Sequence, residues 1–288
     1  MPLPMVRVGA LLTSATLVLS INAGLAQSPA ASVTAERAAF REWLIGSTNS
    51  PYAVQAHRRI GTGLVLGPTD AEIPLEGIAR HEVSERAGVV RLRTGGQERV
   101  LPRSRQVPLG GYRIEVAGSP GRSVLVVYRA TPRDSKPPIW YHYDPGYDLT
   151  VRLTPATSPR TRRILAADGL EVEASDAGTV AVTLGGTTTG LSVMRVPDPT
   201  GEESELEIYF RDETNGRGSY PAGRFVTLIP LGGDRYRLDL NRARNPFCAY
   251  SPVYACPLPW RGNLLPVAVE AGARYTGGGL ELPAEPLP

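Results

Sequence analysis

Between Arg211 and Asn245 the chain collects residue types that do chemistry with polar ligands. Arg211, Asp212, Tyr220, Arg224, Asp239, Asn241, Arg242 and Asn245 fall on or beside consecutive expected strands. Strands adjacent in sequence usually neighbour in space, so these groups are expected to meet. Two readings follow. In one, Arg224 and Arg242 are charge-assisted donors in a pocket for an anionic or polyhydroxyl ligand. In the other, which is preferred, Asp212 pairs with Arg224 to pin the glycine-rich loop 211–224, and Asn241 and Asn245 satisfy backbone groups around it. A hydrolase-type mechanism would draw on Asp212, Tyr220 and Arg224.

The chain's two cysteines, Cys248 and Cys256, follow directly. They read first as a disulfide, the usual state of an even cysteine count in an exported chain. Closing so short a loop would stabilise the fold by about 2.5 kcal/mol in the chain-entropy picture. Free thiols and a metal pair are the other readings. Zinc cysteines usually sit two to four residues apart within four-ligand sets, and His57, His81 and His142 are all distant in sequence. No metal and no cofactor is expected. His81-Glu82-Val83-Ser84-Glu85 opens like a zincin motif but has Glu85 where the second histidine belongs, so it is expected to be a solvated loop. Neither G-x-S-x-G nor a phosphate-binding G-x-x-x-x-G-K-[ST] occurs. The aromatic run Trp140-Tyr141-His142-Tyr143, with Tyr147, could stack on sugars; a strand with one buried face is the preferred reading.

The elements that must hold these residues are mostly strands. Thirty-one glycines and twenty-seven prolines cut the chain into short runs, a cadence of all-β proteins. Val124–Tyr128, Val180–Leu184 and Leu206–Phe210 are apolar or alternating. Tyr236, Leu238 and Leu240 share one face of a period-two segment. One helix is expected over Val33–Leu44, with Phe40, Trp43 and Leu44 on a face and Thr34 as its cap. It is expected to cover a sheet edge. Five prolines interrupt Asn241–Pro266, which therefore reads as a shaped loop after the strand that ends at Leu240.

The N-terminus sets the expected compartment. Arg7 precedes an apolar run from Val8 to Ile21, and small residues end at Ala26, the pattern of a secretory signal peptide. Cleavage is expected after Ala26, giving a periplasmic or secreted protein with no stable membrane insertion after processing. The formal net charge is +3, and Lys136 is the only lysine. Basic residues cluster only at Arg58-Arg59 and Arg160–Arg163, so nucleic acid is not an expected partner.

Asn245-Pro246-Phe247-Cys248-Ala249-Tyr250, followed by Cys256-Pro257-Leu258-Pro259, resembles the C-terminal signature of the prokaryotic family known as domain of unknown function 1684. Tyr209–Asp212, Ser219-Tyr220, Gly223-Arg224-Phe225, Ile139-Trp140-Tyr141 and Asp144–Tyr147 resemble that family's upstream motifs. Arg244, Phe247 and Trp260 depart from its pattern. The resemblance implies a domain and no chemistry. The earlier part, with Gly63–Gly67, Asp70–Leu75, Gly88–Leu92 and Gly110–Ile114, resembles a forkhead-associated-type β-sandwich. That resemblance implies a fold but no phosphothreonine binding, because no matching serine precedes Arg80-His81.

The expected fold is thus mainly β, with two β-sandwich or barrel-like parts and one short N-terminal helix. Residues 1–26 form the signal peptide and 27–54 a helix and connector. Residues 55–137 form a small β-sandwich, and 138–288 a second β domain carrying the family signature. The expected function is that of an exported, non-enzymatic ligand-binding or structural module for a small polar or carbohydrate-like ligand. The alternatives are the hydrolase above and an envelope protein-interaction module without a pocket.

Overall fold

The computed structural model describes residues 28–132, 136–197, 204–258, 260 and 262–277. The expected signal peptide lies outside them. The protein is mainly β, with one N-terminal helix and several sheets that include a half-barrel.

Helix α1 spans Pro29–Gly46. It starts earlier than its apolar face suggests. Ser28 accepts a hydrogen bond from the Ala31 N–H, and Pro29 follows at the first helical position, where a missing N–H costs nothing. Thr34 is therefore inside the helix, its hydroxyl donating to Ala30 O, and is not the cap. Val33 and Leu44 are buried, with Arg37, Phe40 and Trp43 half-buried beside them.

Nine strands follow: β1 (Val54–Arg59), β2 (Leu64–Gly67), β3 (Ile73–Pro74), β4 (His81–Arg86), β5 (Val89–Thr94), β6 (Gln97–Val100), β7 (Val107–Leu109), β8 (Tyr112–Ala117) and β9 (Val124–Arg129). They make a four-stranded sheet, β1-β9-β8-β7, and a five-stranded sheet, β3-β2-β4-β5-β6. Leu66, Val83, Leu92, Ile114, Leu125 and Val127 meet in the core between them. His81 begins β4, is buried, and contacts the Thr94 hydroxyl. The zincin-like string is a strand here and not a solvated loop, because alternation places His81 and Val83 inward.

Strand β9 is buried on both faces. Leu125 and Val127 point into the sandwich. Val124, Val126 and Tyr128 point outward and, with Val54, pack against Tyr220, Ala222, Cys248 and Tyr254. A second apolar core thus joins the sandwich to the later part of the chain.

That later part contains β10 (Asp148–Pro155), β11 (Thr161–Leu165), β12 (Glu171–Leu184), β13 (Thr187–Pro197), β14 (Ser204–Phe210), β15 (Arg224–Thr227), β16 (Ile229–Gly232) and β17 (Arg235–Asp239). Their order is β15-β14-β13-β12-β10-β17-β16, with β11 beside β12. The long β12–β13 hairpin turns at Gly185-Gly186, whose φ values of 55° and 79° suit the two-residue turn that matches strand twist. Valines, leucines, Ile208 and Phe210 fill one face of the sheet together with Leu265, Val269 and Ala271. Tyr209 and Phe225 stack on the other face at 4.0 Å.

The described residues between 240 and 277 follow as loop, with short 3₁₀ turns at Leu240–Arg242 and Phe247–Ala249. Trp140 makes a single bridge to Ala273, and residues 141–144 are irregular. The aromatic run is therefore a loop and not the strand expected from its sequence. The loop at Asp144 is held by Asn241, whose side chain exchanges hydrogen bonds with the Asp144 backbone.

Candidate functional site

Asp212 and Arg224 are both buried in the later part of the chain. Both side chains are wholly shielded from solvent, and an Arg224 Nη donates to the Asp212 carboxylate at 2.7 Å. Arg224 also donates to the carbonyls of Val269, Ala271 and Ala273, and its guanidinium lies 5.4 Å from the Phe210 ring centre. The carboxylate accepts further bonds from the Thr214 N–H and hydroxyl and from the Val269 N–H. This network ties loop 211–224 to the chain at 269–273. Gly223 allows it: φ is 109°, and a Cβ there would meet Phe210 O. A buried ion pair is tolerable only when its remaining donors and lone pairs are largely satisfied.

Tyr220 is also buried, and its hydroxyl lies 3.3 Å from both Cys248 Sγ and Cys256 Sγ. The cysteines are joined as a disulfide, with Cα atoms 5.5 Å apart. Arg211 is half-buried and pairs in backbone register with Leu264.

Asp239, Asn241 and Arg242 form a separate group on the side facing α1. Asp239 is buried and accepts from the Asn241 N–H and amide, from Arg237 and from Arg242. Burial raises its pKa, the Asn241 bonds work the other way, and Asp148 adds to the rise. Arg242 reaches across to Glu36 and to the Ser32 hydroxyl of α1. From the helix, Arg37 donates to the carbonyls of Tyr141 at 2.8 Å and Asn241 at 2.9 Å. Burial lowers the Arg37 pKa, while Asp239 opposes that. Asn245 stands apart from both groups, donating to Arg274 O.

The eight polar residues singled out in sequence thus do not share one cavity. They divide into a sealed network around Asp212 and Arg224, a bracket that holds α1, and Asn245 near the disulfide loop. The bracket has a consequence that the sequence did not reveal. It sets α1 over an open cleft of about 370 Å3, lined by Phe40, Trp43, Trp140 and Tyr250 with Glu36, Arg37, Asn241, Arg242 and Arg244 at its edges. Phe40 is its hub, with ring centres 5.6 Å from Trp43, 6.4 Å from Trp140 and 6.0 Å from Tyr250. The Arg37 guanidinium lies 5.8 Å from the Trp140 ring centre, within cation–π range. Two separate sequence signals bore on it: Phe40 and Trp43 on one helix face, and Trp140 in the aromatic run that could stack on sugars.

No curated protein matches the chain. Among solved structures, the solution NMR structure of an uncharacterized protein from Haloarcula marismortui is similar at 30% sequence identity. The match covers 51% of this chain and 79% of that one, with a TM-score of 0.41. The model of a family described as protein of unknown function, DUF1684, matches residues 139–274. These residues contain the Asp212–Arg224 network, the disulfide and the floor of the aromatic cleft, and through them the chain belongs to the DUF1684 family.

Proposed function

We propose that this protein is an exported, non-enzymatic binding module whose cleft under α1 takes a carbohydrate-like ligand. The observation that carries the reading is the half-open cluster of Phe40, Trp43, Trp140 and Tyr250, edged by planar polar groups. Ring faces offer apolar area at little entropic cost, and guanidinium, carboxylate and amide edges supply directional hydrogen bonds to hydroxyls. The sealing of Asp212, Tyr220 and Arg224 from solvent weighs against their use on a substrate, since a general acid or base must reach the proton it moves. The disulfide supports an oxidising compartment.

Titration with a panel of neutral oligosaccharides tests the binding. Trp43 and Trp140 line the cleft, while Trp260 is buried elsewhere, so intrinsic fluorescence should respond. Trp140→Ala should abolish that response while the thermal melt stays close to wild type. Absence of a saturable signal across the panel would overturn the ligand class. Mass spectrometry of exported protein should find Gln27 as the first residue.

A further inference from the structure

Tyr250 also lines a second cleft. Its volume is about 290 Å3, and its walls include Tyr52, Lys136, Asn245, Tyr250, Arg274 and Tyr275. It sits where three parts of the chain meet: the end of the α1 connector, the linker at 136–139, and the segment 274–277 that closes the family domain. No carboxylate lines it among the described residues. Its two cations are also without carboxylate partners there. Among the described residues, the Arg274 side chain is held by the Tyr141 ring, 5.2 Å from its centre, and the lone lysine engages through its backbone carbonyl, which accepts from the Tyr52 hydroxyl at 2.9 Å. Two cations on the walls of one cavity that carries no carboxylate mark a place where negative charge would be complementary.

The remaining walls narrow the ligand. Asn245 is buried. Its amide N–H donates to Arg274 O, and its Oδ1 has no donor in ordinary hydrogen-bond geometry, although its side chain is near enough to Tyr250 to temper the burial-driven rise of that phenol's pKa. A buried acceptor without a donor costs free energy that a ligand hydroxyl would recover. Three phenol rings border the same space. Burial raises the pKa values of Tyr52 and Tyr250, so both stay neutral and do not cancel the positive charge.

We propose that this second cleft is a binding site for an acidic monosaccharide, a hexuronate. Lys136 and Arg274 hold its carboxylate, Asn245 Oδ1 accepts from a ring hydroxyl, and the tyrosine faces carry the apolar side of the pyranose. The assignment goes beyond the aromatic-cleft reading. It uses other residues apart from Tyr250, and it stands if no neutral sugar binds under α1.

Isothermal titration of the full chain with sodium glucuronate tests it, with glucose and inorganic phosphate as parallel probes. Saturable binding of glucuronate is expected, with neither probe binding comparably. Lys136→Ala and Arg274→Ala should each weaken it about ten-fold, the scale of one charge-assisted bond. Both side chains are exposed, so thermal melts of the variants should match wild type. If a variant fails to fold, the wild-type chain still answers, because affinity must fall as salt rises. Absent binding, equal binding of glucose, unchanged affinity in both variants, or salt-independent binding would each overturn the proposal. Phosphate binding as tightly as glucuronate would show that the cleft reads charge alone and would overturn the sugar assignment.

Discussion

Removing the Arg224 side chain would leave the Asp212 carboxylate buried with its strongest donor gone, and would strip donors from three carbonyls between Val269 and Ala273. Loss of one partner from such a pair typically costs about 3–5 kcal/mol. Arg224→Ala and Asp212→Ala should therefore both shift the urea midpoint sharply down. Wild-type midpoints would show that the network does not hold the loop. His57 gives a second test at this scale. It faces Tyr254 with ring centres 4.8 Å apart, and burial pushes its pKa down to about 4. The unfolded chain takes up a proton near the ordinary value of about 6.5, while the folded chain resists until about pH 4. Stability from this residue is thus complete above pH 6.5 and drains away between pH 6.5 and 4, by about 3 kcal/mol at most. Glu207 acts in the opposite sense: burial pushes it up to about 7, so its neutral form favours the fold at low pH. Comparing wild type with His57→Gln isolates the histidine. The wild type should lose about 3 kcal/mol more than the variant on that acidification, read from denaturant melts at both pH values.

Among the elements, the disulfide loop has the clearest expected effect. Cys248 and Cys256 close a span of eight positions. Replacing both with serine should lower stability by about 2.5 kcal/mol in the loop-entropy picture, measured as a drop in urea midpoint at unchanged slope. A changed slope would mean that the loop's packing against Val54 and Val126 had come apart. How far each element was legible follows from its surroundings. Strand β17 was read from alternation, because one of its faces meets a core, and β14 from its apolar run, because both of its faces do. In β12 the buried positions are sparse, and its register shifts between Asp176 and Gly178, so only its last third carried a signal. The start of α1 was missed because Ser28 and Pro29 directly follow the small-residue run at the expected cleavage point. The Asp212–Arg224 pairing was legible, since both residues flank one glycine-rich loop. Neither cleft was. The first joins residues from 33 to 273 and the second from 52 to 277, and nothing in local periodicity reports such distances.

At the scale of the whole molecule, the shared core around Val54, Val126, Tyr128, Tyr220 and Tyr254 ties the sandwich to the family domain. Two parts that share a buried core should unfold together. Calorimetry should give one transition with a calorimetric enthalpy equal to the van't Hoff value. Two resolved transitions would show the parts to be independent. The same closure has a consequence in time. Helix α1 is held by Arg37 on Asn241 O and by Arg242 on Ser32, contacts 204 and 210 residues apart along the chain. At roughly 5–20 residues per second, the ribosome makes that helix about 10–40 s before its docking surface exists. Among the described elements, α1 is therefore made first yet is among the last to find its place.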